Sequence, residues 1–213
     1  MPLVIPPTSN LVSDKIAATV GILSMTSYGG GMTSSRAYHH GDLRRALLAA
    51  AVEAITESGP AALSLRDLAR RAGVSHAAPT HHFGDKAGLL TALATQGFDL
   101  LGDALRGAGD DFRESGVAYV VFAVRHRAHF EVMFRPDLYR ADDPDLLAAR
   151  QRTGELLRGG VSRHTGREPD VDALAAWSIA HGFAELWLAG ALPDRVGADP
   201  EPAARTVVGR LFR

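Results

Sequence analysis

Apolar residues along this chain recur every three or four positions, and no strictly alternating stretch reaches strand length, so the pattern predicts an all-α fold of about nine helices. The pattern sharpens from Gly41, where Leu43, Leu47, Ala50, Ala51, Ala54 and Ile55 share one helical face and Arg44, Arg45 and Glu53 lie off it. Ser58-Gly59-Pro60 ends this helix, because glycine suits the left-handed residue after the last turn and proline cannot continue it. Ser64-Leu65-Arg66-Asp67 reads as a capping box that opens a short second helix running to Arg71. Ala72-Gly73-Val74-Ser75 is a tight turn, and Ser75 is placed to cap a third helix that runs to His82. Phe83-Gly84-Asp85-Lys86 closes that helix and caps a fourth, which Leu89, Leu90, Leu93, Leu100, Leu101 and Leu105 carry to Gly107. Further amphipathic helices are predicted at about 111–125, 127–135, 143–164, 170–190 and 200–212. Their breaks fall at Arg135-Pro136, Asp143-Pro144, Glu168-Pro169, Leu192-Pro193 and Asp199-Pro200.

A length of 213 residues with 46% apolar content suits one large domain or two small ones around a packed core. Residues 1–35 hold Pro2, Pro6, Pro7 and Gly29-Gly30-Gly31 and read as a flexible extension. Met25 and Met32 lie within it, and a translation start at Met32 would make the first 31 residues dispensable. Ile16 to Leu23 has the length of a signal h-region, but the prolines precede it and Lys15 is its one basic neighbour, so no export signal is read there. No apolar run approaches the roughly 18–20 residues of a membrane span. The chain has no cysteine, which excludes disulfides, thiolate metal sites and a cysteine nucleophile, and cytoplasm is the expected location. A net charge of −1 conceals an asymmetry: Arg36 to Leu90 carries an excess of two positive charges and five histidines, whereas Thr91 to Arg213 carries an excess of three negative charges. That division fits a phosphate-facing module on a body that does not face nucleic acid.

Two short helices joined by a glycine-containing turn, from Ser64 to about Phe83, make a helix-turn-helix, in which Ala69 permits close approach while Leu65, Leu68 and Val74 fill the crossing. Geometry alone leaves an ordinary αα-corner open. The wording from Leu63 through Val74-Ser75-His76 and Phe83-Gly84-Asp85-Lys86 to Leu90, with the entry sequence Tyr38-His39-His40-Gly41-Asp42-Leu43, resembles the DNA-binding region of the TetR family of repressors. The resemblance spans about Arg36 to Leu101. The rear half is similar to regulators of that family whose C-terminal domain carries a Trp-His-Gly signature, here Trp177 with His181 and Gly182. It implies a DNA-binding domain over 36–101, with its motif at 64–83, and an effector-binding and dimerisation domain over 102–213.

Carried over by position, the recognition helix is Ser75 to His82, with Ser75, His76 and Ala77 facing bases in the major groove and Arg66 able to pair with guanine. Ser64, Thr80, His81 and Lys86 are then phosphate contacts, the last near a helix start whose free N–H groups also favour phosphate. The chain departs from the family at Thr80, where tyrosine is common, and carries Pro79 beside it. The arm Arg36 to His40 precedes the first helix and either lies along DNA or is disordered. In the rear domain Phe98, Tyr119, Phe122, Phe130, Met133, Phe134, Trp177 and His181 are the candidate pocket residues, with Glu185 or His126 as further orienting groups; about half of such a set serves as packing. Trp177, Ile179, Ala180, Ala184, Leu188, Val207, Val208 and Leu211 are expected to form the face of a homodimer.

The resulting expectation is a DNA-binding transcriptional regulator, a repressor released from operator DNA by a small, largely apolar effector, with no cofactor and no catalytic role. A helical interaction module and a histidine-metal hydrolase are the readings from other classes. Against the second, no carboxylate completes a zinc spacing around the histidines, and no nucleophile-elbow sequence is present.

Overall fold

A computed structural model of the protein describes residues 35–165 and 169–211. The extension expected over residues 1–35 lies outside the described residues, apart from Ser35, which opens the first helix. The described residues form nine α-helices: α1 (Ser35–Ser58), α2 (Leu65–Arg71), α3 (Ala78–Phe83), α4 (Lys86–Gly107), α5 (Phe112–Arg125), α6 (Arg127–Met133), α7 (Pro144–Thr165), α8 (Pro169–Leu188) and α9 (Pro200–Leu211), with a 3₁₀ turn at Asp194–Val196. Prolines open α7, α8 and α9, where their missing N–H is one that a helix leaves unpaired in any case.

Three local expectations are corrected. The first helix begins at Ser35 and runs through Gly41, so Arg36 to His40 are helical and form no separate arm. A glycine inside a helix costs about 1 kcal/mol and does not forbid one. Ser64 stands at the start of α2 in an extended conformation with no side-chain cap. The intended partner is engaged elsewhere, because Asp67 binds Arg70 at 2.6 Å and Arg71 at 2.7 Å. The third helix begins at Ala78 rather than Ser75. Pro79 has no N–H to give the Ser75 carbonyl, which is taken instead by Ala78 N–H at 3.0 Å, so the chain enters α3 through a tighter turn.

Helix α4 is the axis of the molecule. Its buried positions, Leu89, Leu90, Leu93, Ala94, Gly97, Phe98, Leu101 and Leu105, keep the three-and-four spacing for its full length. It packs on α3 at its start and on α6, α7 and α5 further along. Leu47, Ile55, Leu68, Leu89, Leu93, Phe130 and Met133 are all at most 1% exposed and join front and rear halves in one continuous core. Close approach at the α4–α6 crossing depends on Gly97, where an added Cβ would stand 2.5 Å from Met133 Sδ and 3.2 Å from His129 Cβ. Met133 is 1% and His129 5% exposed, so any shift that makes room must take place within the packed interior. Gly97→Ala is therefore expected to lower stability by about 1–3 kcal/mol, read as a fall in the urea midpoint at unchanged m-value.

A candidate nucleic-acid interface and an apolar cavity

The α2–turn–α3 unit is built with one face down. Leu68 and Ala69 are fully buried, and Pro79 and Phe83 are buried beneath α3. The turn between them closes on Ala72 N–H to Leu68 C=O at 2.9 Å and Val74 N–H to Ala69 C=O at 3.0 Å. Gly73 adopts φ +66° there, a conformation that L side chains seldom take. Phe83 lies under the Arg44 guanidinium, 5.4 Å from its ring centroid, which holds the end of α3 against α1.

With that face committed, Ser64, Arg66, Ser75, His76, Ala77, Thr80 and His81 are all exposed. The cations of α2 are not equivalent. Arg70 and Arg71 are drawn to Asp67, and Arg71 also to Glu57 at 2.8 Å, and these arginines hold both carboxyls below their usual range. Arg66 makes no hydrogen bond or ion pair with the described residues. Lys86 is half-buried and donates to the Ala61 carbonyl at 2.8 Å, pinning the α1–α2 connection to the start of α4. The helix start beside it is already occupied: Asp85 accepts from Gly88 N–H at 2.8 Å, and that bond together with Arg140 depresses its carboxyl.

Arg140 belongs to the connection between α6 and α7, and sequence reasoning passed over it. Its guanidinium reaches Asp85 at 2.9 Å, and its backbone N–H donates to Thr91 Oγ1 on α4 at 3.0 Å. Tyr139, next to it, donates to the Met133 carbonyl at 2.8 Å. The rear half thus grips the end of the front unit through contacts 49 to 55 residues apart, a separation that no local pattern signals. Gly88 is equally silent in sequence, yet an added Cβ there would run into the Phe83 carbonyl at the α3–α4 junction.

Behind the front unit, α4, α5, α7, α8 and α9 enclose a cavity of about 400 Å³. Of the eight candidate residues, Phe98, Tyr119, Phe134 and Trp177 line it. The other four candidates do not. Phe122 turns away to stack on His126 at 5.2 Å, while Phe130 and Met133, each 1% exposed, are core. His181 stands behind the wall, with Nδ1 2.9 Å from the Tyr119 hydroxyl, which in turn accepts from Trp177 Nε1–H at 3.2 Å. Burial pushes the Tyr119 phenol up and the His181 imidazole down, while Glu185, 3.8 Å from Nε2, acts in the opposite direction on the histidine; the tautomer with its proton on Nε2, toward Glu185, leaves Nδ1 to accept the Tyr119 O–H hydrogen bond. Phe112, Arg150, Thr153, Arg158 and Ala176 also line it and were not among the candidates.

The expected dimer face is also redistributed. Ala180, Ala184 and Val208 are buried in the chain's own core and cannot be shared with a second copy, while Trp177 and Ile179 face the cavity. The Leu211 side chain lies outside the described residues. The apolar surface that remains open on α8 is Val171, Leu174 and Leu186, exposed by 78%, 58% and 48%. Ala175, Ser178 and Gly182 continue the same stripe at helical spacing with small residues. No group of three or more potential metal ligands occurs among the described residues, and no helix among them is long and apolar enough to cross a membrane.

Residues 47–93 match the family model for bacterial regulatory proteins of the tetR family, and residues 112–211 match that for the tetracyclin repressor-like C-terminal domain. HTH-type transcriptional regulator BetI of Escherichia coli O157:H7 is 29% identical over 172 residues, 71% of this chain and 84% of its own. Among solved structures, a protein of unknown function from Rhodococcus sp. RHA1 is 34% identical, covering 84% of this chain and 100% of its own with a TM-score of 0.68. The TetR family transcriptional regulator PfmR from Thermus thermophilus is 27% identical over 78% of this chain and 97% of its own, with a TM-score of 0.62.

The α4–α6 crossing also holds a titratable group. His129 Nε2 lies 3.1 Å from Gln96 Oε1, and its buried Nδ1 has no partner among the described residues. Burial, with His126 nearby, lowers its pKa to about 4. The unfolded chain takes up this proton near pH 6.5, so stability is full above that value and is lost as pH falls toward 4. Between pH 7.5 and 4.5 the unfolding free energy should fall by about 2 kcal/mol more in the native chain than in His129→Gln, measured by urea titration at both pH values.

Proposed function

The chain belongs to the TetR family of transcriptional regulators, a DNA-binding family, and from that premise we propose that it is a homodimeric repressor released from its operator by a small effector bound in the rear cavity. It acts by binding rather than by catalysis, and it works in the cytoplasm. The observation that carries the reading is the division of the α2–turn–α3 unit: its apolar side is spent on the core, and Arg66, Ser75, His76, Ala77, Thr80 and His81 are left together on the open side. In a dimer, two such units enter successive major grooves about 34–36 Å apart. Arg66 and the turn Ser75 to Ala77 read bases, while Ser64, Thr80, His81 and Lys86 meet phosphates. Lys86 keeps donors for a phosphate after serving Ala61.

The open stripe Val171, Leu174 and Leu186 on α8 supports a two-fold helical interface, since apolar residues this exposed gain most from a second copy. Release follows from geometry shared by the two halves. Phe134 ends α6 in the cavity wall, α6 lies on α4 at Gly97, and α4 begins at the recognition unit. A ligand that favours a displaced α6 over the DNA-bound arrangement shifts the population away from DNA, and only that difference in affinity does so.

Gel shifts with DNA upstream of the chain's own gene, at two salt concentrations, test the first half. Lys86→Ala should weaken binding to all sequences and reduce the salt slope by about one, whereas Arg66→Ala should cost ~1–3 kcal/mol on the operator and relax preference at one base position. If neither substitution alters binding, the interface lies elsewhere. Light scattering tests the dimer: Leu174→Arg should give particles of half the native mass and lose most operator affinity, and an unchanged mass would count against the α8 face.

A further inference from the structure

The cavity wall carries charge of one sign. Arg150 and Arg158 line it and no carboxylate does. Both arise from α7, with Gly154 between them, and a step of four residues keeps all three on one side of the helix. The Arg150 guanidinium lies 5.9 Å from the ring centroid of Phe98, another wall residue. Arg158 folds back over Gly154, where an added Cβ would be 3.5 Å from Nη1 and 4.0 Å from Nη2. The Arg158 guanidinium thus uses the space that a side chain at position 154 would take, and both arginines line the cavity while staying exposed to water. Neither forms an ion pair with the described residues, whereas Arg152 on the adjoining side of α7 pairs with Asp99 at 2.7 Å.

The neutral donors of the wall are all in use. Ser115 donates to the Asp111 carbonyl at 3.3 Å, and the Thr153 hydroxyl sits between the carbonyls of Phe98 and Ala149 at 2.9 and 3.0 Å. Tyr119 gives its proton to His181, and Trp177 gives its N–H to Tyr119. An uncharged polar ligand thus meets no free side-chain donor in the wall, and a cation meets two like charges. An anion meets two guanidinium groups, and they stand at the mouth rather than on the floor.

Resting on the reading of this cavity as the effector site, we infer that its ligand is an amphipathic monocarboxylate. The apolar tail lies against Phe98, Leu105, Phe134 and Trp177, and the carboxylate stays at the mouth between Arg150 and Arg158. Charge-assisted hydrogen bonds from guanidinium groups set the preference, and the exposure of both arginines to water limits it to about tenfold.

The test uses the full chain and two carboxylate probes, decanoate for a flexible tail and 2-naphthylacetate for a flat one. Decanol and 2-naphthylacetamide serve as uncharged matches and decylammonium as the cationic one. Calorimetry should give at least one carboxylate an affinity about tenfold above its uncharged match, with decylammonium the weakest binder. In Arg150→Gln/Arg158→Gln that difference should vanish, while affinity for the uncharged match and the thermal midpoint stay unchanged. Equal affinities in the native chain, or a preference for the cation, would overturn the carboxylate assignment and leave an effector cavity of other chemistry. A carboxylate preference that survives the double substitution would overturn the role of the two arginines. Trp177 fluorescence, isolated by Trp187→Phe, reports occupancy directly. If no probe binds and that fluorescence does not move, both the inference and the effector-site reading beneath it fail.

Discussion

One close approach, α6 against α4 at Gly97, sets the positions of parts that lie far apart in the molecule. The seven residues of α6 have little surface of their own, and they hold their place because a backbone without a side chain lets Met133 and His129 settle directly on α4. Phe134 follows at once and becomes a wall of the cavity. Tyr139 then anchors back to the Met133 carbonyl, and Arg140 is delivered to Thr91 and Asp85 beside the recognition unit. A wider crossing would loosen the cavity wall and this grip together, which is why interiors packed to crystal density transmit small displacements over long distances.

The distribution of satisfied and unsatisfied polar groups follows one scheme at both ends of the chain. Around α2, Asp67 and Glu57 absorb Arg70 and Arg71 and leave Arg66 available. Around the cavity, backbone carbonyls, His181 and the Tyr119 hydroxyl take up the neutral side-chain donors and leave Arg150 and Arg158 available. In each place the groups able to bind a partner are those from which local partners have been withheld, and in each place the partner expected is an anion. The net charge of the whole chain, −1, says nothing of this, because it averages over the two surfaces that matter.

Helix order and helix ends were readable in the sequence because prolines and left-handed glycines mark them by steric exclusion, which needs no tertiary context. The errors came where two local signals competed. Ser64 and Asp67 spell a capping box, but Arg70 and Arg71 follow Asp67 at helical spacing and win its carboxylate. Ser75 looks like a cap, but Pro79 withholds the bond that would extend the helix back to it. The exposed face of the α2–turn–α3 unit was legible because its spacing is local. The cavity was legible only in part: Phe98 and Phe130 have the same periodicity and both point inward, and whether inward means core or void depends on helices more than 30 residues away. Arg150 and Arg158 carried no signal in sequence, and only the packing of α7 against α4 and α8 brings them to the wall of a cavity.

That wall has a consequence for descent. Arg150 and Arg158 stand on the exposed side of α7, and apart from the contact of Arg150 with the Phe98 ring they fill no space in the core, so replacing them leaves most of the apolar wall and the contacts from Phe134 to α4 in place. Mutations at such positions shift stability by about half a kcal/mol at most. On the proposed reading of the cavity as an effector site, a lineage can therefore exchange the headgroup to which it responds, one surface substitution at a time, while the proposed route from occupancy to release is inherited whole.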